Sequence, residues 1–181
     1  MMLSVAAVAW LRTETPLLVW NASPSVPIGL YAIAGRSPMR GELAALWLPD
    51  PVRRLADARG YLAATAILVK PVAAGVGNIV CRLGPIISID GHPAAIARTV
   101  DAAGRALPQW SGCRRLAAWQ IFVLSSTPGS FDSRYFGPVD MRHVVGTAIA
   151  LWTIVPMTGR PFVPCMVPHR EHCVGTVSRS D

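Results

Sequence analysis

Three short segments of this chain hold the residue types that covalent chemistry needs. The first is Asn21-Ala22-Ser23-Pro24-Ser25-Val26-Pro27-Ile28-Gly29-Leu30-Tyr31. A serine hydroxyl is a poor nucleophile until a base takes its proton and the backbone holds it at a fixed angle. Prolines flanking Ser25 supply rigidity, because each locks its own φ. Taken alone, this block is a proline-rich turn and its serine means nothing. The second is Val69-Lys70-Pro71-Val72-Ala73-Ala74-Gly75, and Lys70 is the only lysine in the chain. An amine titrates at about 10.4 in water, whereas a base useful at neutrality needs about 7 to 8. Apolar neighbours can supply that difference, on the order of 4 kcal/mol, by desolvation. The alternative is a lysine that reaches the surface from a strand edge. The third segment runs from Ser130 through Phe131-Asp132-Ser133-Arg134 to Gly137-Pro138-Val139. Asp132 and Arg134 are close enough to pair and stiffen a loop, although such a pair on the surface is worth little.

The elements that must position these residues are short. Sixteen prolines and fifteen glycines punctuate 181 residues, which suits strands joined by turns and leaves little room for long helices. Residues 21–31 read as an extended, rigid loop leading into a strand at Leu30–Ile33. Leu43 to Leu48 is an apolar run ended by Pro49. Asp50-Pro51 has the signature of an N-cap and first helical position, predicting a helix through Arg59 that stops at Gly60. Ala66 to Val69 is a strand-like run with Lys70 at its end. Ile79 to Cys81 and Ile86 to Ile89 follow, the latter closed by Asp90-Gly91. A proline- and alanine-rich stretch covers 93–112. Strand character returns at Trp119–Leu124, a loop spans 129–137, and His143–Trp152 is the last β-prone run. The expectation is a mainly β fold with one short helix and irregular loops.

A chain of this length has room for one domain with a real core. The 52% hydrophobic and 15% charged content excludes a disordered or highly solvated chain. A formal charge of +7 raises nucleic acid as a partner. The cations are nearly all arginines spread along the chain, with Arg53-Arg54 and Arg114-Arg115 the densest pairs, so no phosphate-binding stripe and no nucleic-acid partner is expected. Residues 1–16 form a short apolar segment broken by Arg12, Glu14 and Pro16. It is either the end of a truncated membrane anchor or a lead-in that lies on a bilayer surface. Cys81 and Cys113 are either a bridged pair, if the protein works outside the cytoplasm, or two small buried apolar residues. Residues 156–181 read as an irregular tail. Its Cys165, His169, His172 and Cys173 match no standard structural metal site, and neither metal nor other cofactor is expected anywhere in the chain.

The three segments, in this order, resemble the signal-peptidase family of Ser/Lys proteases, and within it the TraF-type peptidases of plasmid conjugation systems. The likeness covers roughly residues 17–152, and the expected catalytic domain spans 17–155. The resemblance implies a signal-peptidase-like β fold with Ser25 as nucleophile and Lys70 as general base. It further implies an oxyanion held by the Ser25 N–H and the Ser23 hydroxyl. Ser130 stands at the place of a hydroxyl that orients the lysine, and Asp132 and Arg134 stabilise the wall of the site. Two departures stand out: Gly77-Asn78 where many relatives have Gly-Asp, and Pro71 where classical signal peptidases have an arginine. The second removes one partner for Asp132 and leaves Arg134. Ser25 and Lys70 lie too far apart in sequence for the S-x-x-K arrangement of penicillin-binding proteins and must meet through the fold.

The implied function is endoproteolysis of a membrane-held precursor peptide, a pilin-like subunit, in contact with conjugation machinery on the periplasmic side of the inner membrane. The other readings are a general signal peptidase for Ala-x-Ala precursors and a non-catalytic component of a conjugation or secretion complex.

Overall fold

Turn residues divide the described part of the chain into eleven strands, two α-helices and one 3-10 turn. The computed structural model describes residues 18–154; the apolar segment 1–16 and the tail 156–181 lie outside them. In chain order the elements are β1 Leu18–Asn21, β2 Ile28–Ala34, β3 Leu43–Leu46, α1 Asp50–Ala58, β4 Leu68–Ala74, β5 Ile79–Leu83, β6 Ile86–Ile89, β7 His92–Ile96, β8 Gly112–Arg115, β9 Gln120–Val123, α2 Ser133–Phe136, β10 Val139–Asp140 and β11 Val144–Ile154. Seven strands form one sheet in the order β1-β2-β11-β3-β4-β9-β10, and four form a second in the order β7-β6-β5-β8. All named strand pairs are antiparallel. The fold is mainly β.

The boundaries differ from the expected ones where local signals compete. Asp50 is the first helical residue of α1 and Pro49 its N-cap, one position earlier than the Asp-Pro pair suggests. Lys70 is not at the end of its strand but in its middle, because β4 continues through Pro71 to Ala74. The ring removes a donor but not the carbonyl, and Pro71 O accepts from the Leu124 N–H at 3.0 Å. The loop expected at 129–137 contains the single helical turn α2, capped by the Asp132 carboxylate, which accepts from the Arg134 N–H. The stretch 93–112 holds most of β7, an edge strand that tolerates Pro93.

Alternation along β4 places Leu68, Lys70 and Val72 on one face, with the small Ala44 directly across from Lys70 on β3. Leu68, Val72, Ala44, Leu46, Ile121 and Val123 belong to one buried cluster, so this amine sits in an apolar wall. Val69 on the other face packs with Val19, Val26, Tyr31 and Ala45. Strand β11 lies between β2 and β3 and bonds to both. Two glycines permit that fit. A Cβ on Gly29 would lie 2.1 Å from the Trp152 carbonyl oxygen, and one on Gly146 would lie 2.1 Å from that of Ala34.

The outward face of β1, β2 and β11 carries Leu18, Trp20, Ile28, Leu30, Ile149, Trp152 and Ile154, an apolar set without a charge. Trp20 and Trp152 stack there with ring centroids 5.9 Å apart. In the second sheet Cys81 and Cys113 stand directly opposite each other and are joined by a disulfide. Cys81 is half-buried and Cys113 exposed, so the reading of two buried apolar residues does not hold.

Candidate active site

The loop between β1 and β2 is shaped by side chains at its two feet. Asn21 Nδ2 donates to the carbonyls of Ser23 (2.8 Å), Val26 (3.2 Å) and Pro27 (3.1 Å), and its Oδ1 accepts from the Ser23 N–H. Tyr31 Oη donates to the Pro27 carbonyl at 2.6 Å. A segment with two prolines cannot satisfy its carbonyls with a regular ladder, and these two buried side chains stand in for one. Ser25 is thereby held buried, with its hydroxyl 2.9 Å from that of Ser23. The Ser25 N–H points toward Ser23 Oγ at a loose 3.5 Å.

Lys70 reaches this loop from β4. Its Nζ is in hydrogen-bond contact with Ser25 Oγ and donates to Ser130 Oγ at 2.7 Å. Only 2% of Lys70 is exposed. Burial brings its amine down to about 8; the Asp132 carboxylate pulls the other way, and the Arg134 guanidinium adds to the lowering. A neutral amine in this place can accept the Ser25 proton through its lone pair while an N–H donates to Ser130.

Asp132 and Arg134 stand behind the amine as a buried pair. Arg134 Nε donates to Asp132 Oδ1 at 2.7 Å and Nη2 to Oδ2 at 3.0 Å, a bidentate fork with both side chains almost fully enclosed. The remaining donors reach backbone: Arg134 Nη2 to Ser125 O (2.5 Å) and Nη1 to Pro128 O (3.3 Å). The missing arginine at Pro71 therefore leaves no gap, since Arg134, the Ser125 N–H and the Arg134 N–H engage both Asp132 oxygens.

The structure thus places Ser23, Ser25, Lys70 and Ser130 in one contiguous hydroxyl–amine cluster, with Asp132 and Arg134 forming the layer behind it. Three contributors carry no local sequence signal strong enough to mark them. Asn21 looks like a turn residue. Ser125 lies in the turn-rich run Ser125-Ser126-Thr127-Pro128-Gly129. Arg82, 2% exposed, donates to Arg134 O at 2.8 Å and holds α2 from the second sheet. Asn78, at the other departure from the family pattern, closes its turn by accepting from Gly75 N–H and donating to Asp90. Among the described residues no cluster of His, Cys, Asp and Glu has the makings of a metal site.

Comparison with known proteins places the chain in a family. The family model for signal peptidase, peptidase S26, matches residues 1–153. A probable conjugal transfer protein TraF of Sinorhizobium fredii is 34% identical over 147 residues, covering 75% of this chain and 77% of the relative. The conjugal transfer protein TraF of Agrobacterium fabrum is also 34% identical, covering 75% and 82%. A plasmid transfer protein TraF of Escherichia coli is 30% identical over 139 residues, covering 69% and 77%. The crystal structure of a signal peptidase I from Enterococcus faecalis V583 aligns with a TM-score of 0.36 at 21% identity, covering 63% of this chain and 98% of that one. With its family model matched over most of its length and these relatives spanning three quarters of theirs, the chain belongs to the signal peptidase family, peptidase S26.

Proposed function

We propose that this peptidase-family chain is a serine endopeptidase that uses Ser25 and Lys70 as a dyad to process a membrane-held precursor. The observation that carries the reading is the buried, solitary lysine whose amine lies between Ser25 Oγ and Ser130 Oγ. A lysine in an apolar wall is costly, and its lowered pKa is what a general base near neutrality needs.

In this mechanism neutral Lys70 takes the Ser25 proton as Oγ attacks the scissile carbonyl carbon. The developing oxyanion is met by the Ser25 N–H and the Ser23 hydroxyl, which converge beside the nucleophile. Removing a donor of this kind typically costs about 3 kcal/mol of barrier. As the C–N bond breaks, the Lys70 ammonium returns its proton to the leaving amine. Water then attacks the acyl-enzyme as Lys70 accepts its proton. The Lys70 ammonium gives that proton to Ser25 Oγ as the acyl–oxygen bond breaks, which restores the neutral amine and the free serine. Ser130 holds the amine in line throughout, and Asp132 and Arg134 keep the wall behind it rigid.

The substrate proposed is a pilin-like precursor presented by conjugation machinery on the periplasmic side of the inner membrane. The relatives named as conjugal transfer proteins support this choice, and a disulfide suits an oxidising compartment. The uncharged apolar face with its tryptophan pair, together with the chain's positive charge, suits an anionic bilayer surface.

The test is cleavage of a co-expressed conjugative pilin precursor in membranes by wild type, Ser25→Ala and Lys70→Ala. Processing by wild type and its loss in both variants, at equal protein level, is expected. Cleavage of an Ala-x-Ala precursor but not of the pilin would assign a general signal peptidase. Wild type inactive on both would favour a non-catalytic component, and activity that survives either substitution would overturn the dyad.

A further inference from the structure

Ser125 lies two residues past the end of β9 and is only 2% exposed. All of its polar groups are engaged. Its Oγ donates to the Ser25 carbonyl at 2.6 Å and accepts from the Thr127 N–H at 3.1 Å. Its N–H donates to Asp132 Oδ2 at 3.0 Å, and its carbonyl accepts from Arg134 Nη2 at 2.5 Å. One residue therefore touches the nucleophile loop on one side and the buried ion pair on the other.

The loop's own chemistry explains why such a contact matters. Pro24 and Pro27 lock their φ angles, and Ser23 and Val26, each preceding a proline, are confined to extended backbone. Ser25 is the residue these constraints leave free to turn. Among the described residues the hydrogen bond to its carbonyl comes from Ser125. Rotation about Ser25 would swing its N–H and its hydroxyl together, away from Ser23 and from the amine of Lys70.

We propose that Ser125 is a positioning residue that anchors the Ser25 carbonyl to the Asp132–Arg134 pair and so aims the Ser25 hydroxyl at the Lys70 amine. It touches neither substrate nor reacting atoms, and the proposal rests on the dyad reading above. A 1 Å misplacement of a reacting group can cost about a hundredfold in rate. Loss of the Ser125 hydroxyl should therefore lower kcat on the order of tenfold to a hundredfold, with KM changed by less than about twofold.

Lys70 makes a substrate-independent test practical, since lysine labelled at Cε and Nζ gives one side-chain NMR signal in this chain. The experiment follows that signal against pH in wild type, Ser125→Ala and the exposed-neighbour control Ser126→Ala, alongside kcat, KM and melting temperature. The cleavage probe is whichever of the two precursors wild type cuts. In Ser125→Ala the Lys70 titration should move up from about 8 toward that of a solvated lysine as the loop loosens and water enters. Asp132 and Arg134, the charged groups facing the amine, stay in place because the Ser125 backbone still bonds them. Ser126→Ala should match wild type in every readout. If Ser125→Ala folds and either the titration or kcat stays at the wild-type value, even with a lower melting temperature, Ser125 is an ordinary structural bond and the proposal is overturned. If that variant does not fold, Ser125→Cys, similar in shape but a weak donor, is read by the same criteria. Should wild type cut neither precursor, the dyad reading fails, while the Lys70 titration still decides whether Ser125 holds the loop.

Discussion

Lys70 meets two opposed demands, and both are measurable. As the proposed base it must be neutral, so kcat/KM should climb about tenfold per pH unit below about 8 and level off above it, read from a pH–rate profile. As a buried cation it weakens the fold. Its pKa falls from 10.5 in water to about 8 in the protein, so the unfolded chain binds more protons between those values and stability rises with pH across that window. The corresponding penalty below pH 8 is on the order of 3 kcal/mol. Lys70→Met should therefore abolish cleavage and raise the melting temperature at pH 7, with the gain shrinking as pH approaches 10.5. The hydroxyls of Ser25 and Ser130 lose a partner in that variant, which holds the gain below the full figure.

At the scale of elements, backbones approach tightly where Gly29 on β2 meets Trp152 on β11. Gly29→Ala should destabilise by about 3 kcal/mol or more in urea unfolding, since the obstructing atoms are backbone and have no rotamer to retreat into. The nucleophile loop ends at β2, so cleavage per folded molecule should fall as well. These elements explain what was legible in the sequence. Lys70 was visible because a lone lysine in an apolar run is chemically conspicuous. Ser25 was visible only through the resemblance that the three ordered segments carry, since prolines alone mark no more than a rigid turn. The mid-strand position of Lys70 was hidden, since a proline normally argues against a continuing strand and only the Leu124 contact shows that Pro71 is tolerated. Asn21 and Ser125 were hidden for a different reason. Their significance lies in which carbonyls they reach, and a carbonyl leaves no mark in a sequence. Residue types alone left the Asp132–Arg134 pair open to being a surface contact of small value, and the resemblance put it in the wall of the site; it is enclosed there, behind Lys70. Removing Asp132 alone would leave a buried guanidinium without its counter-ion, which typically costs about 3 to 5 kcal/mol.

At the scale of the whole molecule, the apolar face of β1, β2 and β11 adjoins the loop that carries Ser25. If that face meets a bilayer, Trp20→Glu and Trp152→Glu should each lower co-sedimentation with vesicles containing anionic lipid, and raised salt should weaken the wild-type association. Strand order carries a further consequence. The proposed nucleophile Ser25 hangs from β1 and β2, and the proposed base Lys70 sits on β4 beside β3, but these two pairs do not bond to each other. What joins them is β11, formed by the last described residues of the chain. Synthesis therefore delivers Ser25, Lys70 and Ser130 well before it delivers the strand that brings their supports together. On the proposed mechanism, a nascent chain that stops short of residue 144 holds Ser25, Lys70 and Ser130 without the strand that joins their supports, so cleavage would arrive late, as a by-product of completing the sheet.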